Sequence, residues 1–320
     1  MVKIYTNINS RLKIFELSEY LENMEELESD VDVLWIDMIS PSIDDINTIA
    51  KSFEIEFPSK QETEEIEISS RFWESDKDIT INSYFLIVDG EAVYNETVTF
   101  ILQNNLLVTM RYRELKVFNE CVKKLVSSPS IFRDGSYILS YIFETRIDLD
   151  ADIIEGLSRN ISGLRKKLSA NDIDNEDILD YIYHYENLNT NIRDSLIDKQ
   201  RIISALLKSH KLAEIIKNNF RIMIKDVNSL IDYAKYNFDR MDYIQNIVLG
   251  FVNIEQNKVI KIFTVVNVIF LPPTLVASIY GMNFKHFPEL GLKYGYGLSW
   301  VFMIVSAILP VLIFRKKRWL

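Results

Sequence analysis

Two long apolar runs close to the C-terminus constrain this chain more than anything else in its sequence. Residues 259–279 (VIKIFTVVNVIFLPPTLVASI) form a stretch of 21 residues with one charge, Lys261, near its start. About 20 predominantly apolar residues in a helix suffice to cross a hydrocarbon core of roughly 30 Å, so this run is expected to span a bilayer. Residues 298–314 (LSWVFMIVSAILPVLIF) form a second, uncharged run of 17 residues, at the short end of the spanning range, with Trp300 and Trp319 available as interfacial anchors. Between the runs, YGMNFKHFPELGLKYGYG holds four of the nine glycines, Gly281, Gly291, Gly295 and Gly297, and reads as a compact loop. The competing reading is a buried helical hairpin.

Charge near the membrane sets the expected orientation. Arg315, Lys316, Lys317, Arg318, Lys258 and Lys261 outnumber Lys285 and Lys293, and the basic side is normally cytoplasmic. Both termini are therefore expected in the cytoplasm, with the chain crossing the cell inner membrane twice. The opening residues, MVKIYTN, lack a continuous apolar stretch, and no secretory signal is expected there.

The rest of the composition removes function classes. The net charge is −10, and residues 253–320 hold two acids against eight bases, so residues 1–252 carry about −16. Such a surface does not suit phosphate neutralisation, and no nucleic-acid partner is expected. The single cysteine, Cys121, can form neither an internal disulfide nor a thiolate zinc site, in keeping with a reducing compartment. The three histidines, His184, His210 and His286, show no paired helical spacing, and neither GxGxxG nor GxxxxGK occurs. No nucleophile-base pair stands out either, so an enzyme is not expected, nor any small-molecule substrate beyond metal ions.

The first 252 residues divide in two. Up to about Arg113 the segments KIYTNI, LKIFEL, VDVLWIDMI, ITINSYFLIV, VYNETVTFIL and NLLVTMRY are rich in Ile, Val, Tyr, Phe and Thr and predict strands. A helix is expected over residues 42–53, after Pro41, with Ser42 as N-cap and Asp45 three residues on. Residues 54–76 read as helix and loop. From Tyr137 to Ile254 no proline occurs and apolar residues recur at steps of three and four, which predicts long helices. A break at residues 171–174 would fold two of them into an antiparallel pair. From about Phe220 the pattern runs into the first span, a single helix of about 60 residues and roughly 90 Å. The expected fold is thus an α+β cytoplasmic domain (1–136), an antiparallel helical pair (137–219), a stalk helix (220–258), a first membrane helix (259–281), an outer loop (282–297), a second membrane helix (298–314) and a basic tail (315–320).

At about 100° per residue, Asp239, Asp242, Asn246, Asn253, Asn257, Thr264, Asn267, Leu271 and Ser278 fall within an arc of roughly 80–100° on the long helix. Polar groups facing lipid are costly, so Asn257, Thr264 and Asn267 should face an interior. Two helices per chain cannot enclose an aqueous path, and the stripe therefore implies a ring of identical subunits about a shared axis. The plainer alternative is hydrogen bonding between packed helices.

The stripe leads to Tyr280-Gly281-Met282-Asn283-Phe284, followed by Phe287-Pro288-Glu289-Leu290. YGMNF with a downstream PEL, between two C-terminal membrane helices, resembles the signature of the CorA family of divalent metal-ion channels, which carry magnesium and often cobalt or nickel. FLPPTLVASIYGMNF, the RKKRWL ending, WIDMISPS and EIEISSRFW extend the likeness over most of the chain. Phe287 and Gly297 depart from it, where Met and Pro are usual. The resemblance implies a homopentamer in the lipid bilayer, with Asn283 as the selectivity ring shaped by Gly281 and Met282. It further implies that Asn257, Thr264, Leu271, Thr274 and Ser278 line the pore, that Glu289 lies in the outer loop, and that intracellular magnesium, replaceable by cobalt, holds the pore closed through acids between subunits. Asp232, Asp239 and Asp242 are the stalk acids expected to contribute.

Residue chemistry points the same way. Magnesium dehydrates reluctantly, so a ring of amide carbonyls wide enough for the hydrated ion suits it, whereas a carboxylate ring would retard its exit. Leu271, amid polar neighbours, is a candidate gate that closes by dewetting. Two alternatives are a zinc transporter on the same scaffold, which Met282 disfavours because that relative usually has Val there, and a membrane-anchored sensor or scaffold, which would not need the polar stripe.

Overall fold

The structure is a computed structural model that describes residues 1–8, 11–23, 32–59, 62, 71–90, 92–170, 174–283 and 288–317. It divides into two compact units, residues 1–244 and 245–320.

In the first unit seven strands form one mixed sheet: β1 (Val2–Ile8), β2 (Arg11–Glu16), β3 (Asp32–Ile39), β4 (Phe72–Glu74), β5 (Asp78–Asp89), β6 (Ala92–Gln103) and β7 (Leu106–Arg111). Their order is β2-β1-β3-β7-β6-β5-β4; only β3 and β7 run parallel. Alternation along each strand feeds two cores, one on each face. One face packs Ile4, Ile36, Met38, Val108 and Met110 under α1 (Leu17–Asn23) and α2 (Ile43–Phe53). The other packs Trp35, Phe85, Phe100 and Leu107 against α3 (Lys116–Ser127), α4 (Gly135–Ala170) and α5 (Asn175–Leu206). The register of β1 on β3 shifts between Tyr5 and Thr6, which pair with Trp35 and Val33, so Leu34 is the bulged residue. Leu34 and Trp35 can then both join the second core.

The WIDMISPS segment is a folding element. Asp37 and Arg111, diagonal to each other across the parallel pair, form a buried ion pair at 2.7 Å; Thr109, directly opposite Asp37, donates to it at 2.8 Å, and Trp35 Nε1 donates to Thr109 at 2.9 Å. At its end Ser42 and Asp45 complete a reciprocal capping box at the start of α2, in which each backbone N–H is taken by the other's side chain.

Several features differ from the sequence reading. Within residues 54–76, Phe72–Glu74 is an edge strand rather than loop, and residues 65–70 of the EIEISSRFW segment lie outside the described residues. The helix α3 had no counterpart in the reading. The long helix α6 runs Glu214–Tyr280, 67 residues, starting six residues before the expected Phe220 and passing Gly250 unbroken. The last helix, α7, spans Gly295–Lys316, so Gly295 and Gly297 are helical rather than part of the loop. The expected break falls on residues 171–173, outside the described residues, with α4 ending at Ala170 and α5 beginning at Asn175.

Candidate functional site

The second unit holds the end of α6 and all of α7, and among the described residues these are the two helices long and apolar enough to cross a membrane. Which face of α6 meets α7 follows from burial. Val265, Val268, Ile269, Pro272, Pro273, Val276 and Tyr280 are half-covered, whereas Asn257, Thr264, Asn267, Leu271, Thr274 and Ser278 are exposed. On a helical wheel the covered set centres about 140° from the polar set, so the stripe points away from the partner helix.

Polar residues on the stripe fall into two kinds. Thr264 Oγ1 donates to Ile260 O at 2.8 Å, and Thr274 Oγ1 donates to Phe270 O at 2.7 Å, so each hydroxyl is satisfied by its own helix. An asparagine amide, with two donors and an acceptor, is not satisfied that way. Among the described residues Asn257 and Asn267 form no side-chain hydrogen bond, and each would have to find its partner outside the hairpin.

Two depressions flank the helix pair. Val276, Ile279 and Tyr280 with Phe302, Val305 and Leu309 bound an apolar one of about 280 Å³. Thr264, Asn267, Leu271 and Pro272 with Pro310 and Phe314 bound another of about 320 Å³. Thr264, Asn267 and Leu271 thus all border the second depression, and Asn257 does not.

The proline pair removes two backbone donors, leaving the carbonyls of Val268 and Ile269 without their helical partners just before and beside Leu271, yet α6 continues to Tyr280. There it stops at Gly281, whose N–H donates to Ala277 O at 2.9 Å. A Cβ at Gly281 would lie 3.2 Å from that same oxygen, so a glycine fits the exit of the helix where a larger residue would crowd it. Met282 and Asn283 follow directly and are exposed. Phe284 and Phe287 lie outside the described residues, and Glu289 falls in the short 3-10 turn Pro288–Gly291.

The stalk acids Asp232, Asp239 and Asp242 are exposed on α6, and among the described residues no group of three or more acids, histidines or cysteines is gathered to hold a metal ion within one chain. A different acidic face escaped the sequence reading. Glu144, Asp148 and Asp152 repeat every fourth residue on α4 and face Asp226 of α6. Shielding by the packed helices, then the charge of Asp148 and of Asp226, raises the pKa of Glu144; shielding, then Asp152 and Asp226, raises that of Asp148. The ETRIDLDAD spacing could have revealed it.

Fold and stripe together define a class: an α/β domain continued by one long helix into an apolar two-helix hairpin, with a polar face on the first span that ends at a Gly-Met-Asn turn. The sequence model of the family described as CorA-like Mg2+ transporter protein matches residues 30–316, and the chain belongs to that family. The magnesium transport protein CorA of Wolinella succinogenes is 43% identical over 319 residues, covering 98% of this chain and 99% of its own. That of Campylobacter jejuni is 41% identical, over 93% of this chain and 94% of its own. Among solved structures, the CorA magnesium transporter of Methanocaldococcus jannaschii matches with a TM-score of 0.79 over 100% of this chain and 99% of its own at 22% identity, a likeness of fold.

Proposed function

We propose that this chain is one subunit of a homopentameric magnesium channel, and that the α6 stripe from Asn257 to Asn283 lines its conduction path. The observation that carries this reading is the pair of amides, Asn257 and Asn267, without side-chain hydrogen bonds among the described residues, on the exposed face of a spanning helix opposite the face that α7 covers. Lipid offers no hydrogen bonds, so that face needs water, ions or other copies of itself. A ring of five supplies all three.

In that ring the Asn283 carbonyls accept hydrogen bonds from the waters of an arriving magnesium ion, and Gly281 and Met282 hold the turn that presents them. Neutral acceptors bind the hydrated ion weakly enough to release it. Asn257, Thr264, Asn267, Thr274 and Ser278 carry it along the path, and Leu271 closes the path by dewetting. Cobalt and nickel, of similar charge and size, use the same route. Both termini face the cytoplasm, and the outer loop holds Glu289. Magnesium collecting on the cytoplasmic side binds among acids of adjacent subunits, with Asp232, Asp239 and Asp242 contributing, and favours the closed state.

Replacing the amide tests the filter. Asn283→Ala is expected to abolish magnesium uptake while the oligomer still assembles; wild-type uptake by this variant would remove Asn283 from the path.

A further inference from the structure

Inside the first unit, at the contact between α5 and α6, lies a polar group that the fold leaves unserved. Asn237 of α6 is 0% exposed, and among the described residues neither its Nδ2 nor its Oδ1 has a hydrogen-bond partner. Three residues earlier on α6, Ala234 faces Asn189 of α5, which is 1% exposed; its Nδ2 donates to Ala234 O at 2.9 Å, and among the described residues its Oδ1 is also without a partner. Buried amides are ordinarily satisfied, and one left without partners is a strain that the surrounding packing must sustain.

The bond that Asn189 does make is easily exchanged. Ala234 O lies in the interior of α6 and is already the acceptor for the helical N–H of residue 238, so Asn189 takes only its second lone pair. Breaking that bond strands no carbonyl. Asn237, three residues further along α6, offers both an acceptor and a donor, and a pair of amides can bond to each other through both. Ala234 and Asn237 are separated by about 4.5 Å along the axis, less than one turn. The neighbouring contacts on this helix are of two kinds. Met241 and Ile244 are buried and apolar, which tolerates small sliding, whereas Arg240 is tied to Ser158 and Ser162 of α4 by hydrogen bonds of 2.9 and 2.6 Å.

We propose that Asn189 and Asn237 form a two-position latch between α5 and α6: in the arrangement seen here Asn189 holds Ala234 O and Asn237 is unpaired, and in the other the two amides pair after α6 has shifted by less than a turn. Because α6 continues without a break into the first membrane span, the shift is delivered to the helix that carries the polar stripe. A buried polar pair that selects between registers of two packed helices is a known use of asparagine in helical assemblies. The regulatory part of this inference rests on the channel reading above; the latch itself does not.

The test uses the full-length protein. Asn237→Leu replaces the unserved amide with an apolar group of similar size, which removes the second position and relieves the first. It is expected to unfold at least about 2 °C above wild type, and in liposomes to shift the magnesium concentration that half-inhibits flux by tenfold or more. A lower unfolding temperature would mean that the amide is satisfied, and would overturn the latch; a higher one with the midpoint within twofold of wild type would overturn the coupling. Should the variant not fold, hydrogen exchange of the wild-type protein decides the matter. Amides of residues 234–241 are expected to change in protection at least tenfold between magnesium-free and millimolar magnesium solution, and unchanged protection would overturn the latch. If the wild-type protein carries no magnesium flux at all, the channel reading fails, while the unfolding temperature still reports on the strained amide.

Discussion

At the residue scale, Leu271 shows how one side chain can set a state. It is exposed in the hairpin, flanked on the stripe by Asn267, Thr274 and Ser278. In a ring, five leucines facing one axis would expel water from a narrow zone, and an ion that cannot keep its waters does not pass. Leu271→Ser is expected to conduct at millimolar internal magnesium, where wild type is expected to be closed; liposome flux checks this, and a variant that stays closed would leave Leu271 a packing residue. The stripe was legible in sequence because 100° spacing is intrinsic to a helix. What could not be read was which stripe residues satisfy themselves. Thr264 and Thr274 bond to their own helix, while Asn257 and Asn267 form no side-chain hydrogen bond among the described residues, a distinction that depends on side-chain geometry in the folded helix.

At the scale of elements, the strands and the α2 cap were visible because their signals are local: β-branched runs between turn residues, and Ser42 three before Asp45. Two elements were not. Helix α3 has Leu115 at its N-cap, with no side-chain cap hydrogen bond, and so lacks a start signal. Strand β4 has three residues and exists because Phe72 and Glu74 find Ile81 and Ile79 on β5, a pairing no window of sequence contains. The start of α4 shows the same dependence on distant contacts. Gly135 N–H donates to Asn105 O at 2.6 Å, and a Cβ there would lie 2.4 Å from Leu107 N. Gly135→Ala should cost about 1–3 kcal/mol through displaced backbone, checked by thermal unfolding; an unchanged midpoint would mean that the β6–β7 turn yields freely.

The acidic face of α4 and α6 adds a pH dependence. Folded-state pKa values of Glu144 and Asp148 lie above their ordinary 4.5 and 3.8, so the folded state holds these protons more tightly than the unfolded chain. Their contribution to stability is present in full below the ordinary values and is lost as pH rises through the raised ones. Asp148→Asn should therefore raise the unfolding temperature at pH 7 and reduce the gain that wild type shows on mild acidification. Equal slopes in the two proteins would place the raised pKa values elsewhere.

At the scale of the whole molecule, charge and hydropathy separate along the chain. Residues 1–252 carry about −16, while residues 253–320 contain two acids and eight bases. Copies arranged in a ring would bring acidic domains together, and mobile cations or protons must screen them. Such a ring would therefore be tighter with divalent cation bound than without, which ties the cytoplasmic magnesium level to the spacing of the subunits. A ligand shifts such an equilibrium only by its preference for one arrangement, and several modest preferences acting together give a steep response. The family and the two candidate spans were legible in the sequence because YGMNF and the apolar runs are contiguous. The acidic face of Glu144, Asp148 and Asp226 was not, since its grouping depends on α4 meeting α6.

The central claim is that this chain alone forms a path for magnesium, and flux through the purified full-length protein in liposomes tests it most directly. With magnesium outside and an indicator inside, wild type is predicted to admit magnesium well above the rate of protein-free vesicles, to slow as internal magnesium reaches millimolar levels, and to be competed by cobalt. A signal no faster than that of protein-free vesicles at any internal magnesium concentration would contradict it.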